Sequence, residues 1–273
     1  MCCKDALPNH PFGSVTSSGP YTTGTASADP LIRTHAMHWV LSQEVYSIHR
    51  RESIEGFMYN PDASTDDMAI YSLDDHTIVA FRGTVNFTDV RNDFQLAMRG
   101  ASCSFDKVKP AIEAIRAYMQ QYPNQLVQTT GHSLGGAVAR CVGQELGLGI
   151  ITFNAAAPPS SPVRTRENEL DYHIAFDVIS AWTEPTTIRI DKGYRPVKPP
   201  RFMPAIVRVW FFGKGVKPLL DAHKLENFSN ERPGTKISNQ DEDLLWHEWF
   251  NNLPRLVKAT FLSWIQSRDL PVV

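Results

Sequence analysis

Apolar positions repeat with two spacings along the chain, and these spacings predict alternating strands and helices. Short apolar runs cover 77–81, 126–130 and 149–153, whereas 107–121 and 134–147 have the spacing of amphipathic helices. Strand, helix, strand, helix, strand is the order typical of a parallel sheet with helices on its faces. The middle of the chain therefore predicts an α/β fold.

The flanking segments add further elements. The pattern predicts an amphipathic helix over 31–48, a β-hairpin over 56–82 and a strand over 173–176. Residues 186–212 are rich in strand-forming residues but broken by prolines, and 241–266 form an aromatic helical stretch. We expect this last stretch to pack on the core as a helix, and an interfacial surface that docks on lipid is the alternative.

Composition places these elements in one globular domain. Of 273 residues, 42% are hydrophobic and 21% are charged, which is ordinary for a folded domain. Residues 1–28 are rich in Gly, Ser, Thr and Pro, so we expect a flexible arm followed by a single domain over 29–273. The formal charge of −2 argues against a nucleic-acid partner that binds through a strong basic field.

The sequence also suggests a location. The first residues lack the apolar core of a secretory signal, and no run of 18 apolar residues occurs in the chain. The adjacent Cys2 and Cys3 are not typical of a disulfide framework in so large a chain, and the absence of a C-x-x-C pair argues against a zinc ribbon or a thioredoxin-like redox motif. We therefore expect a protein of a reducing compartment, either cytoplasmic or peripheral to membranes.

The sharpest motif is Gly-His-Ser-Leu-Gly at 131–135, which matches G-x-S-x-G between a predicted strand and a predicted helix. A turn this tight exposes Ser133 as a nucleophile, and Gly131 and Gly135 leave room for the neighbouring strand and helix. The N–H groups at the start of the helix can stabilise an oxyanion. His132 is adjacent to the nucleophile and points elsewhere, so we expect it to pack or to orient rather than to act as the base.

Further segments accompany this motif: Phe-Arg-Gly-Thr at 81–84, Asp89, Asp93, the extended Thr-Gly-His-Ser-Leu-Gly-Gly-Ala at 130–137, and, more loosely, 176–178 and 223–228. In these segments the sequence resembles the class 3 lipases, the fungal-type branch of the α/β-hydrolase superfamily. The resemblance covers roughly residues 55–230. It implies an α/β-hydrolase fold with a mostly parallel central sheet and helices on both faces. It also implies hydrolysis of triacylglycerol or phospholipid esters, without a cofactor or metal.

The resemblance further implies an oxyanion hole and a lid. By analogy with the family, Thr84 and the backbone N–H of Leu134 supply the two oxyanion donors. In similar lipases a short helical lid follows the first donor. Its apolar residues here would be Val85, Phe87, Val90 and Phe94. A plain surface helix that never moves is the alternative.

The acid is expected after the nucleophile in the chain and at the end of a later strand. Asp177 meets both conditions because it follows the predicted strand 173–176. Its competitors are Asp171, Glu184 and Asp191.

The base is expected after the acid, which leaves His223 and His247 as candidates. The segment 223–228 matches the family's His-containing segment, so we predict His223 as general base and then general acid. The partner implied is a lipid ester, with contact to a membrane or lipid-droplet surface. Two other functions stay open: a catalytically silent scaffold for protein interaction, and a small-ester esterase without a mobile lid.

Overall fold

A single sheet organises the part of the chain that the structure describes. The structure is a computed structural model, and it describes residues 35–83, 103, 107–156, 168–175, 177, 187–191, 193–194, 221–228 and 235–237. Within these residues nine strands pair in chain order. They are β1 (Ser53–Ile54), β2 (Phe57–Tyr59), β3 (Met68–Leu73), β4 (His76–Phe81), β5 (Leu126–His132), β6 (Gly149–Phe153), β7 (Glu169–Ile174), β8 (Thr187–Asp191) and β9 (Thr235–Ile237). The helices are α1 (Ala36–Glu44), α2 (Val108–Gln121) and α3 (Leu134–Leu146), with a 3₁₀ helix at Leu225–Phe228.

The five strands from β4 to β8 are parallel, which confirms the predicted mostly parallel central sheet. The strands β1 to β4 form an antiparallel meander, and β9 is antiparallel to β8. Phe81 pairs with Gly131, and His132 pairs with Phe153. The carboxyl ends of β4, β5 and β6 therefore meet at one edge of the sheet, the edge where α/β folds place their sites.

Helices cover both faces of the sheet, as predicted. Because side chains alternate along a strand, neighbouring residues of β3 and β4 enter different cores. Ile70 and Val79 pack against α2 and α3, whereas Tyr71 and Ile78 pack against α1. All four side chains are at most 3% exposed, so neither face of these strands is solvated.

A third apolar cluster fixes the segment 221–228 to the sheet. The rings of Phe153 and Phe228 meet edge to face with centroids 5.2 Å apart, and Phe153 stacks on Tyr172 at 5.4 Å. The indole N–H of Trp39 in α1 donates to the carbonyl of Leu225 over 3.0 Å. This segment, which contains His223, is therefore anchored by the ring packing of Phe228 and by the hydrogen bond to the Leu225 carbonyl.

Several bounds differ from the sequence-based predictions. The strand predicted over 173–176 begins earlier, at Glu169, and ends at Ile174. The predicted hairpin over 56–82 is a longer meander that includes β1. Neither β9 nor the 3₁₀ helix was predicted. The arm 1–28 and the aromatic stretch 241–266 lie outside the described residues.

Polar pairing explains the early start of β7. Its buried Glu169 forms an ion pair with the buried Arg140 of α3 and accepts from the side-chain amide of Gln144 over 2.9 Å. Asp171 accepts from the Thr152 hydroxyl over 2.7 Å. Charged residues in this strand broke its apolar pattern, although residues of other elements pair with each of the two carboxylates.

A disulfide joins Cys103 to Cys141 on α3. The sequence analysis did not predict this bond, because the two residues are 38 positions apart and no local pattern pairs them. The described helices include none long and apolar enough to span a bilayer.

Two buried histidines at the start of α1 make the fold sensitive to acid. Burial lowers the pKa of His35 to about 4 and the pKa of His38 to about 3. In the unfolded chain a histidine has a pKa of about 6.5. Below that pH the unfolded state therefore binds more protons than the folded state. The contribution of these two histidines to the free energy of unfolding is therefore complete above about pH 6.5. It is lost as the pH falls toward the folded-state pKa values.

We expect the free energy of unfolding to fall by about 1 kcal/mol per buried histidine between pH 7 and pH 5.5. Urea unfolding at the two pH values measures this loss. His38→Gln should reduce the loss, since glutamine does not titrate. The same change at the exposed His49 is the control and should leave the pH dependence as in the parent. A His38→Gln protein with the parent's full pH dependence would contradict the assignment.

Candidate functional site

Ser133 occupies a strained turn between β5 and α3. Its φ of 56° and ψ of −126° lie where residues with a side chain rarely occur. Such a conformation costs on the order of 1–3 kcal/mol and persists only where the surroundings enforce it. The carbonyl of Ser133 accepts from the N–H groups of Ala137 (3.1 Å) and Ala156 (3.0 Å), and its N–H donates to the Phe153 carbonyl over 3.3 Å.

The glycines beside Ser133 allow this close approach. A Cβ on Gly131 would lie 2.5 Å from the backbone carbonyl of Gly135. A Cβ on Gly135 would overlap the carbonyl oxygen of Phe81 and lie 2.8 Å from the Gly83 nitrogen. These contacts are with backbone atoms, which cannot turn away as a side chain does. The ends of β4 and β5 therefore fix the start of α3 and the direction of Ser133.

Ser133, His223 and Asp177 form one hydrogen-bonded chain. His223 Nε2 lies 2.8 Å from Ser133 Oγ, and His223 Nδ1 lies 2.8 Å from Asp177 Oδ2. With Asp177 ionised, Nδ1–H donates to the carboxylate and leaves Nε2 to accept the serine proton. The structure thus brings together the three residues that the sequence analysis singled out, from three distant segments.

Burial differs along this chain of side chains. Asp177 is fully buried and His223 is 9% exposed, whereas Ser133 is only partly buried. The backbone N–H of Asp177 donates to the Ile174 carbonyl over 3.0 Å, which fixes the carboxylate just past the end of β7. The carboxylate can therefore orient the imidazole without water competing, while the hydroxyl stays accessible to a ligand.

His132 contacts the segment that contains His223. Its Nε2–H donates to the His223 carbonyl over 2.7 Å, and the two rings lie 4.7 Å apart. Burial, and then the neighbouring His223, lowers the pKa of His132 to about 3, so the ring is neutral. This contact agrees with the orienting role expected from the sequence.

The proposed oxyanion donors are only partly within the described residues. Leu134 is the first residue of α3, where backbone N–H groups have no partner inside the helix. Thr84 lies outside the described residues, as do Val85, Phe87, Val90 and Phe94. The preceding Gly83 is described, and its N–H donates to the Tyr46 hydroxyl over 3.0 Å.

Two residues at the site were missed by the sequence analysis. Tyr46 follows α1, and burial raises the pKa of its hydroxyl to about 12, so it stays protonated beside Gly83. Asn154 follows β6 and is fully buried. A polar residue at the carboxyl end of an apolar strand was a signal that could have found Asn154, whereas Tyr46 gave no local signal.

Of the competing acids and base, the structure describes Asp171 and Asp191. Asp171 lies within β7, where Oδ1 accepts from Thr152 Oγ1 (2.7 Å) and from the Ala155 N–H (3.3 Å). Burial raises the pKa of this carboxyl. Glu184 and His247 lie outside the described residues, and Asp191 ends β8. The described ranges hold no group of three or more His, Cys, Asp or Glu side chains suited to a metal ion.

Comparison with protein families gives one match over more than half of the chain. The family model described as phospholipase-like, a Tle-like phospholipase domain, matches residues 38–186. This range includes the serine turn and Asp177 and ends before His223. A search of the curated proteins finds no match.

Solved structures similar to this chain include fungal lipases. A Rhizomucor miehei lipase in complex with its propeptide has 15% identity and a TM-score of 0.42, over 61% of this chain and 70% of that one. A triacylglycerol lipase from Penicillium expansum has 16% identity and a TM-score of 0.39, over 60% and 81%. A fungal lipase–inhibitor complex has 17% identity and a TM-score of 0.35, over 49% and 65%, so the chain spans just under two thirds of that lipase.

The packing at the turn predicts a large cost for Gly131→Ala. We expect a loss of about 3 kcal/mol in the free energy of unfolding, because the new Cβ would meet the backbone at 2.5 Å. Gly147→Ala is the control: it has open space and a φ of 69°, so only the left-handed conformation costs, about 1 kcal/mol. Chemical denaturation of both variants measures the difference. Equal losses would mean that the turn relaxes and does not constrain Ser133.

Proposed function

Because the chain belongs to the Tle-like phospholipase domain family, we propose that it is a serine hydrolase that cleaves carboxylic ester bonds of lipids. The observation that supports this most is the chain of two 2.8 Å hydrogen bonds from Ser133 through His223 to Asp177. A buried carboxylate, an imidazole in a fixed tautomer and a partly exposed hydroxyl are what acyl transfer requires.

In the first half-reaction Ser133 Oγ attacks the ester carbonyl carbon while His223 Nε2 takes the hydroxyl proton. Asp177 stabilises the imidazolium. The negative charge on the carbonyl oxygen is stabilised by the Leu134 N–H and by Thr84. When the carbon–oxygen bond of the ester breaks, His223 returns the proton to the leaving alcohol, and an acyl-enzyme remains on Ser133.

In the second half-reaction water attacks the acyl-enzyme carbonyl. His223 takes a proton from this water, and the tetrahedral intermediate collapses to free Ser133 Oγ, which regains its proton from the imidazole. The products are a fatty acid and the alcohol released earlier. No redox partner or metal is needed for either step, since every proton is exchanged between Ser133, His223, water and the substrate.

We propose a phospholipid as the preferred substrate, because the matching family is described as a phospholipase domain. A triacylglycerol is the second candidate, and it needs the same acyl-transfer chemistry. Both are insoluble lipids, so the protein would work at a membrane or lipid-droplet surface, with one hydrolase domain over 29–273 providing the site and residues 1–28 an arm.

A substrate panel with a serine variant tests the activity. Parent and Ser133→Ala proteins are assayed on phosphatidylcholine vesicles, triacylglycerol emulsions and soluble p-nitrophenyl butyrate. We expect the parent to release fatty acid from the vesicles and Ser133→Ala to lose about three or more decades of rate, because the nucleophile is gone. Ser47→Ala, at an exposed serine, is the matched control and should keep the parent rate.

The other arms of the panel separate the alternatives. If the parent cleaves only the butyrate ester and neither lipid, the protein is a small-ester esterase and the proposed lipid substrate is wrong. A parent protein that cleaves no ester and does not react with a fluorophosphonate would be a silent scaffold. An unchanged rate in Ser133→Ala would overturn the serine mechanism itself.

Thr84 offers a separate test of the oxyanion hole. Thr84→Val keeps the shape of the side chain but removes its hydroxyl, so we expect kcat to fall by about 10²–10³-fold. Thr84→Ser keeps a hydroxyl and should retain most of the activity. Steady-state kinetics on the preferred ester distinguish the two variants. Equal activity of Thr84→Val and the parent would remove Thr84 from the oxyanion hole.

A further inference from the structure

Asn154 lies where the three parts of the proposed site meet. It follows β6 directly, is fully buried and has a φ of 45°. This left-handed conformation is tolerated by Asn and Gly better than by other residues. The chain therefore makes a sharp bend here, and the bend turns a polar side chain into the interior.

The Asn154 side chain connects the end of β7 to the segment that contains His223. Its Oδ1 accepts from the backbone N–H of Ile174 over 2.8 Å, and its Nδ2 donates to the backbone carbonyl of Ala222 over 3.0 Å. A backbone N–H can only donate and a carbonyl can only accept, so the orientation of the amide is fixed. One buried side-chain amide thus joins two segments that are 48 residues apart in the chain.

Both contacts are adjacent to proposed catalytic residues. Ala222 immediately precedes His223, and the Ile174 carbonyl accepts from the N–H of Asp177 over 3.0 Å. The same bend reaches the nucleophile, because the Ala156 N–H donates to the Ser133 carbonyl over 3.0 Å. A shift at Asn154 would therefore change the distance between the imidazole and the carboxylate.

We propose that Asn154 is a positioning residue that sets the geometry of the His223–Asp177 pair through its bonds to Ala222 and Ile174. This inference rests on the proposed serine-hydrolase function. It adds to that function a residue that acts through the backbone beside His223 and Asp177 rather than as a reacting group. Its effect on the rate is through the imidazole, which must hold both of its hydrogen bonds to act as a base.

A second amide limits the expected effect. Asn227 Nδ2 donates to the same Ala222 carbonyl over 3.1 Å and to the Asp221 carbonyl over 2.6 Å. The 3₁₀ helix and its buried Phe228 also hold this segment. Loss of the Asn154 side chain should therefore displace His223 without unfolding the segment.

The test uses two substitutions at this position. Asn154→Gly removes the amide but keeps the left-handed φ. Asn154→Asp keeps the shape and the acceptor for Ile174 but places an oxygen against the Ala222 carbonyl. On the ester that the parent cleaves, we expect kcat to fall by about 10–100-fold in both variants, with KM within about twofold.

Asn168→Gly is the matched control. Its side-chain amide donates to the backbone carbonyl of Leu148, but Asn168 directly precedes β7, at the opposite end of that strand from Asp177. It should be destabilised in thermal unfolding while keeping the parent kcat. A similar fall of kcat in Asn168→Gly would assign the effect to general loss of stability and would overturn the proposal.

A double-mutant comparison separates positioning from folding. In a His223→Ala background the Asn154→Gly change should alter the residual rate by less than about twofold, since there is no imidazole left to position. A further loss as large as in the parent background would show that Asn154 acts on the fold and not through His223.

An NMR measurement keeps this inference distinct from the proposed function. The Nδ1–H proton of His223, identified by its absence in His223→Ala, reports the hydrogen bond to Asp177 without any substrate. We expect its resonance to shift or to broaden in both Asn154 variants and to stay unchanged in Asn168→Gly. An unchanged resonance would overturn the positioning role even if the parent is active. If the parent cleaves no ester but the resonance still shifts in the Asn154 variants, the proposed hydrolase activity is refuted while the positioning of His223 by Asn154 is supported.

Discussion

The close approach of three backbone segments at Ser133 is the constraint on which the rest of the site depends. The end of β4, the end of β5 and the start of α3 come so near that a Cβ at Gly131 or Gly135 would overlap backbone atoms. The strained φ of 56° at Ser133 persists because these contacts leave no other course for the chain. The Ser133 hydroxyl and the first N–H groups of α3 are consequently held at the carboxyl edge of the sheet by these backbone contacts and not by His223 or Asp177.

The imidazole and the carboxylate depend on tertiary structure instead. Asp177 reaches the same edge because β5, β6 and β7 are parallel neighbours, so their ends align. His223 belongs to a segment held by ring packing on Phe153, by the Trp39 indole and by side-chain amides. The nucleophile is thus fixed by local sterics. The two 2.8 Å contacts of His223 depend instead on how the segment 221–228 packs against Phe153 and Trp39.

This division explains what could be predicted from the sequence. The turn at Ser133, the strands β4 to β6 and the helices α2 and α3 follow from local patterns, and the structure has them within a few residues of the predicted bounds. The start of β7 could not be predicted, because Glu169 is made compatible with a buried strand by Arg140 and Gln144 from another element. The Cys103–Cys141 disulfide and the contacts of Asn154 are likewise set by distant residues. The motif spacing identified the candidate chemistry, but not the side chains that hold it in place.

Two histidines lie side by side at this site, and His223 is the one that is hydrogen-bonded to the Asp177 carboxylate. Burial, and then the neighbouring His223, lowers the pKa of His132 to about 3, and the ring centroids are 4.7 Å apart. His132 therefore stays neutral while it donates to the His223 carbonyl. His223 differs because Nδ1 faces the Asp177 carboxylate at 2.8 Å, so in the proposed mechanism a proton taken from Ser133 would add a charge that has a partner. If His132 were protonated as well, the site would hold two cations against one carboxylate, and removal of the serine proton would be opposed. In the proposed mechanism, a neutral His132 is thus a condition for His223 to act as a base.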